Sequence, residues 1–209
     1  MLGFWVRSTR TAPSTRTARG TRIAQHALSA PSTRTPHPPS HDIISTVPSH
    51  GSPDAKHVRC FVLTVSDTRT METDTGGAAI VELLEAAGHQ IVERQLVRDE
   101  PGRVREIVLS RLGTVQVIVT SGGTGVTSRD STYEALDGLL DKRLGGFGEL
   151  FRMLSYEQVG ASAILTRATA GTARGTVVFM LPGAEQAVRL AMTKLILPVL
   201  GHVVSELGR

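Results

Sequence analysis

The 209-residue sequence is poor in cysteine, in aromatic residues and in long apolar runs. Its one cysteine, Cys60, excludes an internal disulfide framework and fits a reducing compartment. No run of about 18 apolar residues occurs, so we expect no transmembrane helix. The sequence also lacks a Gly-Lys-Ser/Thr phosphate loop and a G-x-S-x-G elbow, which excludes Walker-type ATPases and the α/β-hydrolases. These absences favour a cytoplasmic protein that does not act at a membrane.

Positive charge is concentrated in the first part of the chain. Residues 1–50 contain six arginines and one acidic residue, whereas residues 51–209 contain 17 Lys+Arg and 18 Asp+Glu. The nearly neutral second part is therefore not expected to bind nucleic acid. We predict a disordered Ser/Thr/Arg/Pro-rich tail at residues 1–54 and one globular domain at residues 55–209. An organellar targeting segment, or a translation start placed too far upstream, would have the same composition as this tail.

Short apolar runs and amphipathic segments alternate along the domain. The apolar runs predict strands at residues 58–65, 90–97, 115–120, 163–168 and 176–181. Amphipathic helices are predicted between them, and a last helical region at residues 184–207 is expected to kink at Pro198. Because strands that alternate with helices form parallel sheets, we predict an α/β domain with three αβα layers and a mostly parallel central sheet.

Residues 115–130, VQVIVTSGGTGVTSRD, join a buried strand to a glycine-rich loop. The loop Ser121-Gly122-Gly123-Thr124-Gly125 has few side chains, so its backbone N–H groups can approach a phosphate closely. Arg129 and Asp130 then add a positive charge and a carboxylate before the next helix. The alternative is a tight glycine turn between a strand and a helix.

Carboxylates and a second glycine turn follow the other predicted strands. Ser66 and Asp67 follow the first strand, Asp99 follows the second, and Gly183 follows the last. Ligands of parallel sheets bind outside the carboxyl ends of the strands, so we expect these residues to meet the glycine loop there. Asp99 could also be a turn or N-cap residue. Together the residues predict a site for Mg²⁺ and a nucleotide polyphosphate, since carboxylates alone would repel phosphate.

Two further segments combine structural and functional interpretations. Ser131 and Glu134 have the spacing of a capping box, which would cap the third helix without Asp130, and Asp74 or Thr75 could cap the first helix. Residues 145–160 predict a helix with a glycine-rich entry and an apolar face of four residues, Phe147, Leu150, Phe151 and Leu154. On another side of this helix, Glu149, Arg152 and Ser155 are spaced by three, and the structural interpretation is an exposed ion pair between the first two.

Four runs of sequence resemble the MogA/MoaB family of molybdenum cofactor biosynthesis proteins. In chain order they are SGGTGVTSRDSTYEAL, GFGELFRMLSYEQVG, AILTRATAG and VVFMLPG, and the second is most similar to the MoaB branch. The resemblance covers roughly residues 59–207 and implies the molybdopterin-binding fold, which also occurs in the G domain of gephyrin. It implies molybdopterin adenylyltransferase activity, in which the terminal phosphate of molybdopterin attacks the α-phosphate of Mg-ATP and pyrophosphate leaves.

The resemblance also implies roles for individual residues. Asp99 and Asp130 match the essential aspartates of the family, and would be catalytic and hold Mg²⁺ through ATP. The positions that match nucleotide- or phosphate-binding segments are Ser66, Asp67, Gly122, Gly123, Thr124 and Gly125. The positions that border the pterin are Arg129, Glu149, Arg152, Ser155 and Gly183.

The sequence departs from the family pattern at two positions, and two alternatives to adenylyltransferase activity stay open. Gly145 and Ser128 stand where family members usually have proline, which loosens the loops around the pterin site. The family further implies a homo-oligomer, a trimer or a hexamer, that works with other molybdenum cofactor biosynthesis proteins. The alternatives are a non-catalytic protein that binds and delivers molybdopterin, and a CinA-like hydrolase of nucleotide pyrophosphate bonds.

Overall fold

The computed structural model describes residues 57–209, and the predicted tail at residues 1–54 lies outside this described part. Its strands form one sheet in the spatial order β2-β1-β3-β6-β5-β4. The first four in this order are parallel, whereas β5 and β4 add an antiparallel edge. The strand bounds are β1 Arg59–Val65, β2 Gln90–Val97, β3 Val117–Ser121, β4 Lys142–Arg143, β5 Thr169–Ala173 and β6 Thr176–Leu181.

Helices cover both faces of the sheet, and the predicted three-layer αβα architecture is confirmed. They are α1 Thr75–Ala86, α2 Pro101–Arg111, α3 Thr132–Asp137, α4 Gly145–Val159, α5 Glu185–Ala191 and α6 Leu200–Leu207, with a 3₁₀ helix at Gly160–Leu165 and a π-helical segment at Met192–Ile196. A bend of 61° separates Glu185–Ile196 from Leu200–Leu207. Pro198 lies in this break, so the predicted kink is also confirmed. Within residues 57–209 no single helix is long and apolar enough to span a membrane. The two helices on either side of this bend reach that length and composition only when taken together.

The central strands β1, β3 and β6 are largely apolar because their two faces are both buried. Along β1, Cys60 and Val62 pack in the core layer with α1, α4, α5 and α6, while Phe61 and Leu63 pack in the opposite layer with α2 and α3. A strand of this kind needs apolar side chains at consecutive positions instead of alternating ones. Cys60 is a core residue, as predicted, and burial raises the pKa of its thiol to about 12.

The antiparallel edge is where the sequence prediction was wrong. Residues 163–168 were predicted as a strand, but 163–165 end the 3₁₀ helix, 166–168 form a connection, and the strand follows at Thr169–Ala173. This strand has the sequence TAGTA, and small residues give a weak strand signal. Gly171 is needed here because a Cβ at this position would lie 2.6 Å from the carbonyl oxygen of Lys142 in β4. Leu150, one of the four residues of the predicted apolar face of α4, is exposed, so this face is only partly buried.

Candidate functional site

The carboxyl ends of the four parallel strands meet at one edge of the sheet, as predicted. The register pairs Val65 with Val97 and pairs Ser121 with Leu181. The N–H of Ser66 donates to the carbonyl of Val97 at 2.8 Å, and the N–H of Gly122 donates to the carbonyl of Leu181 at 2.9 Å. The loops that carry the predicted site residues therefore begin side by side.

The glycine loop after β3 is packed too closely for other residues. Gly122 has a φ of +97°, and a Cβ at this position would lie 2.1 Å from the carbonyl oxygen of Val65. A Cβ on Gly123 would lie 2.8 Å from Oδ2 of Asp99, and a Cβ on Gly125 would lie 2.7 Å from Oδ2 of Asp130. The two predicted catalytic aspartates thus pack directly against the loop, one at each of two nearby glycines.

Asp130 is held within its own loop. Its Oδ2 accepts hydrogen bonds from the N–H of Thr127 at 2.9 Å and from the hydroxyl of Thr127 at 2.6 Å. Burial acts to raise the pKa of Asp130, but the hydrogen bonds from Thr127 and from the N–H of Gly125, with the charge of Arg167, lower it below its ordinary value. Asp130 is therefore an ionised carboxylate at neutral pH, and it orders the segment between the glycines and α3.

Asp99 is held by residues from two other loops. Its Oδ1 accepts a hydrogen bond from the hydroxyl of Ser131 at 2.5 Å, and its N–H donates to Oδ1 of Asp67 at 3.2 Å. Glu100, not Asp99, is the N-cap residue of α2. Asp67 and Asp99 line a cavity of about 590 Å³, which we call the carboxylate cavity and which also includes Arg98, Pro101, Ser128, Arg129 and Ser131.

The predicted capping box at Ser131 and Glu134 was wrong. Ser131 occupies the N-cap position of α3, but its side chain makes no capping hydrogen bond. Its hydroxyl donates to Asp99 instead, and Glu134 forms an ion pair with Arg167. Contacts with distant parts of the chain have replaced the local pattern.

A second cavity lies against the glycine loop, and a third adjoins it. The glycine-loop cavity, of about 320 Å³, is lined by Gly123, Thr124, Gly125, Asp130, Pro182 and Gly183 together with Ser162, Leu165 and Thr166. The α4 cavity, of about 560 Å³, includes Glu149, Arg152, Tyr133, Arg167 and Thr166 among its lining residues. Because Thr166 lines both, these two cavities are neighbours.

The residues predicted to border a pterin are only partly brought together. Glu149 and Arg152 line the α4 cavity, but no ion pair between them is found among the described residues, and Arg152 donates to the carbonyl of Ala168 at 3.3 Å. Gly183 lines the adjoining glycine-loop cavity. Ser155 is buried in α4, and Arg129 lines the carboxylate cavity.

Ser66, predicted to bind nucleotide, supports its own turn. Its hydroxyl accepts hydrogen bonds from the N–H groups of Thr68 at 3.3 Å and Arg69 at 3.2 Å. This arrangement fixes the start of the loop that carries Asp67.

Arg167 is a site residue that sequence reasoning missed. Its N–H donates to the carbonyl of Thr124 at 3.0 Å, and its guanidinium donates to the carbonyl of Asp130 at 3.0 Å. The guanidinium also lies over the ring of Tyr133, at 5.2 Å from the centroid. Arg167 thereby ties the glycine loop to the segment before β5. The run AILTRATAG contains it, but the apolar residues of this run predict a strand and give no sign of a site residue.

A buried carboxylate joins the remaining loops of this edge. Asp74 caps α1 through the N–H of Gly77 at 3.0 Å, as predicted, and also accepts from the hydroxyl of Thr64 at 2.6 Å. Arg94 and Arg69 form ion pairs with it at 2.9 and 3.4 Å. Burial acts to raise the pKa of Asp74, but the bonds from Thr64, Gly77 and Arg94 lower it. Because Arg69 also donates to the carbonyl of Gly183 at 2.7 Å, the network fixes the turn after β6.

The carboxylates at this edge suit a metal ion that arrives with its substrate. Within residues 57–209 no group of three or more His, Cys, Asp or Glu side chains is arranged to hold a metal ion. Mg²⁺ commonly uses one or two carboxylates and completes its coordination with substrate phosphates and water. Asp67 and Asp99 in one cavity, with Asp130 across the loop, are compatible with that kind of binding.

Comparisons with known proteins identify the family. Residues 61–202 match the family described as probable molybdopterin binding domain. The chain is 50% identical over 167 residues to molybdenum cofactor biosynthesis protein B of Bacillus cereus. This alignment covers 78% of this chain and 99% of that protein. It is also 50% identical over 155 residues to the Bacillus subtilis protein of the same name. That alignment covers 73% of this chain and 91% of the Bacillus subtilis protein.

Solved structures agree with this assignment. The tungsten cofactor synthesizing protein MoaB from Pyrococcus furiosus gives a TM-score of 0.68 at 36% identity, covering 76% of this chain and 100% of that one. A MogA structure gives a TM-score of 0.65 at 30% identity, covering 71% and 99%. Relatives that are 50% identical to it carry the name molybdenum cofactor biosynthesis protein B, and the chain therefore belongs to the molybdopterin-binding domain family of MogA and MoaB.

Proposed function

We propose that the protein catalyses the Mg-ATP-dependent adenylylation of molybdopterin, which forms adenylyl-molybdopterin and pyrophosphate. The observation that carries this proposal is the position of Asp99 and Asp130 against one glycine loop from two different cavities. A nucleotide in the carboxylate cavity and a pterin phosphate in the glycine-loop cavity would meet at this loop. The relatives named for molybdenum cofactor biosynthesis support the same pathway.

The proposed reaction makes modest chemical demands on the protein. An oxygen of the terminal phosphate of molybdopterin bonds to the α-phosphorus of ATP, and the bond from that phosphorus to the bridging oxygen of the β-phosphate breaks. The bridging oxygen keeps the electron pair and leaves in pyrophosphate. Because the nucleophile is an ionised oxygen of the substrate, no catalytic serine or cysteine is needed, and the protein contributes positioning and charge neutralisation.

The residues of the site can be given roles on this basis. The N–H group of Gly123 would bind a phosphate oxygen, while the loop is ordered by Asp130, which accepts from the N–H of Gly125, and by Arg167. Mg²⁺, when bound through Asp99 and Asp130, would neutralise phosphate charge. In the α4 cavity, Glu149 offers an acceptor and Arg152 a donor for the hydrogen-bonding edge of a pterin.

The proposal is tested by the dependence of pyrophosphate release on both substrates. Purified full-length protein with Mg-ATP and molybdopterin should release pyrophosphate and form adenylyl-molybdopterin, detected by mass. Omission of either substrate should stop both. Absence of product from folded protein with intact substrates would refute the proposal.

A specific observation favours the alternative of a non-catalytic molybdopterin-binding protein. The carboxylate of Asp130 is already hydrogen-bonded inside its own loop, which is the role expected of a purely structural residue. Tight molybdopterin binding without consumption of ATP would support this alternative.

We also propose that the protein is a homo-oligomer, as its family resemblance implies. Leu150, Met153, Tyr156 and Val159 form an exposed stripe along α4 at a spacing of three residues. The 3₁₀ helix that follows α4 adds two more exposed apolar residues at its end, Ile164, which is 81% exposed, and Leu165. Contiguous exposed apolar surface of this kind marks interaction sites in proteins that do not span membranes.

Substitution within this stripe should dissociate the oligomer. Met153→Glu places a charge in the middle of the stripe, so we expect light scattering after size-exclusion chromatography to report a smaller assembly than for wild type. Met71→Glu is the matched control, because Met71 is similarly exposed but lies in the loop before α1. An unchanged mass for Met153→Glu would show that the stripe is not the interface.

A further inference from the structure

Two Arg-Asp dipeptides occur at the carboxyl edge of the sheet. Arg98-Asp99 follows β2, and Arg129-Asp130 follows the glycine loop. The aspartates of the two dipeptides line different cavities, but both arginines line the carboxylate cavity. The loops therefore direct two guanidinium groups, from separate parts of the chain, to one place.

These two guanidinium groups are available for a ligand. Within residues 57–209 neither Arg98 nor Arg129 takes part in a side-chain hydrogen bond or ion pair. By contrast, the neighbouring arginines Arg69, Arg94 and Arg167 all have carboxylate or carbonyl partners. Both side chains belong to exposed residues that line the cavity.

Within residues 57–209 no ion pair joins these arginines to the carboxylates of the same cavity. Oδ1 of Asp99 is bound by the hydroxyl of Ser131, and Oδ1 of Asp67 is bound by the N–H of Asp99. The cavity thus holds oriented carboxylates, suited to a cation, beside unpaired guanidinium groups, suited to an anion. A ligand that carries both charges, such as a polyphosphate with its metal ion, satisfies both sets. The volume of about 590 Å³ lies within the range of ordinary ligand sites.

We propose that Arg98 and Arg129 together bind the β,γ-diphosphate end of the nucleoside triphosphate and retain it as the leaving pyrophosphate. This inference rests on the proposed adenylylation. Guanidinium groups bind phosphate oxygens through two parallel hydrogen bonds, which lysine cannot do. When the bond between the α-phosphorus and the bridging oxygen breaks, negative charge grows on the diphosphate, and these two groups stabilise it. Arg129, which the family resemblance grouped with the pterin residues, thereby belongs to the nucleotide side.

The test is the affinity of the full-length protein for inorganic pyrophosphate with Mg²⁺, measured by calorimetry at fixed ionic strength. Arg98→Gln and Arg129→Gln should each weaken binding roughly 10-fold, and the double variant roughly 100-fold, as expected for charge-assisted hydrogen bonds. Arg98→Lys and Arg129→Lys should give intermediate losses, because the charge remains but the paired donors are lost. Arg59→Gln is the matched control, because Arg59 is also exposed but lies at the first residue of β1, at the end away from the cavity. The affinity of this variant for pyrophosphate should stay within about 2-fold of wild type.

Several results would overturn the inference. Wild-type protein that does not bind Mg-pyrophosphate, a double variant that binds as tightly as wild type, or an equal loss in Arg59→Gln would each do so. The thermal midpoint of each variant should match wild type, because both side chains are exposed and unpaired. If pyrophosphate binding depends on the two arginines but no adenylyl-molybdopterin forms, the proposed function fails and the diphosphate site stands. If the product forms but the double variant keeps its pyrophosphate affinity, only the diphosphate site fails.

Discussion

Asp99→Asn is expected to lower the kcat for adenylyl-molybdopterin formation roughly 100- to 1,000-fold, the scale at which loss of one electrostatic group acts in a preorganised site. Asparagine keeps an oxygen that can accept the hydrogen bond from Ser131, so the loop geometry should survive. Ser131→Ala is the matched variant, because it removes that hydrogen bond and keeps the carboxylate; it should cost roughly 10-fold or less. Steady-state kinetics with both substrates would measure kcat and KM for each.

Asp130→Asn should lower the same kcat by a similar factor. Comparison with Thr127→Val separates the effect of the negative charge from the effect of loop geometry. Thr127→Val removes the hydroxyl that donates to Asp130 at 2.6 Å but leaves the negative charge in place. We expect Asp130→Asn to lose far more activity than Thr127→Val. Equal losses would mean that Asp130 acts only by ordering its loop. Since the pKa of Asp130 is lowered, its ionised form persists well below neutral pH, and activity that depends on it should fall only as the pH drops through that lowered value.

Asp74→Ala is expected to lower the free energy of unfolding by about 3–5 kcal/mol, which is a large part of the stability of an ordinary domain. The reason is that Asp74 is buried and Arg94, which pairs with it at 2.9 Å, is itself mostly buried. Removal of the carboxylate leaves this guanidinium without a counter-charge and also removes the cap of α1. Urea denaturation at neutral pH would measure the change.

The control for Asp74 is an ion pair on the surface. Glu82→Ala breaks a contact of 2.9 Å with Arg189 between two exposed side chains, and should cost less than about 1 kcal/mol. A loss for Asp74→Ala as small as this would contradict a stabilising role for the buried network. The pKa of Asp74 is lowered in the folded protein, so its contribution is present above the ordinary carboxyl pKa and is lost as the pH falls through the lowered value. Asp74→Ala should therefore weaken the dependence of stability on acid pH.

The parallel core of the fold could be predicted from sequence because it follows from composition alone. Strands buried on both faces require consecutive apolar residues, and β1, β3 and β6, which are buried in this way, fall within or near their predicted ranges. The more polar edge strand β2 also lies at its predicted range. The edge strands could not be predicted in this way. β5 is built from small residues because β4 approaches its backbone closely at Gly171, and such an approach leaves no periodic pattern in the sequence.

The sequence predicted which residues belong to the candidate site. It did not predict how they pack against one another or which cavity each of them lines. The glycine loop was expected to suit a phosphate, and the structure adds that Gly123 and Gly125 are also required by the two aspartates packed against them. That requirement joins residues 24 positions apart, from Asp99 to Gly123, and no local pattern shows it. Likewise, neighbours in sequence such as Arg129 and Asp130 line different cavities, which only the folded loop determines.

The central claim is that this glycine loop brings a pterin phosphate to the α-phosphorus of ATP, and transfer of the α-phosphate label tests it most directly. Full-length protein would be incubated with Mg²⁺, molybdopterin and ATP labelled at the α-phosphorus. The account predicts that the label appears on the pterin in equal amount to the pyrophosphate released, and that Asp99→Asn and Asp130→Asn prevent both. Label recovered only as free AMP, or remaining in ATP while molybdopterin is bound, would contradict it.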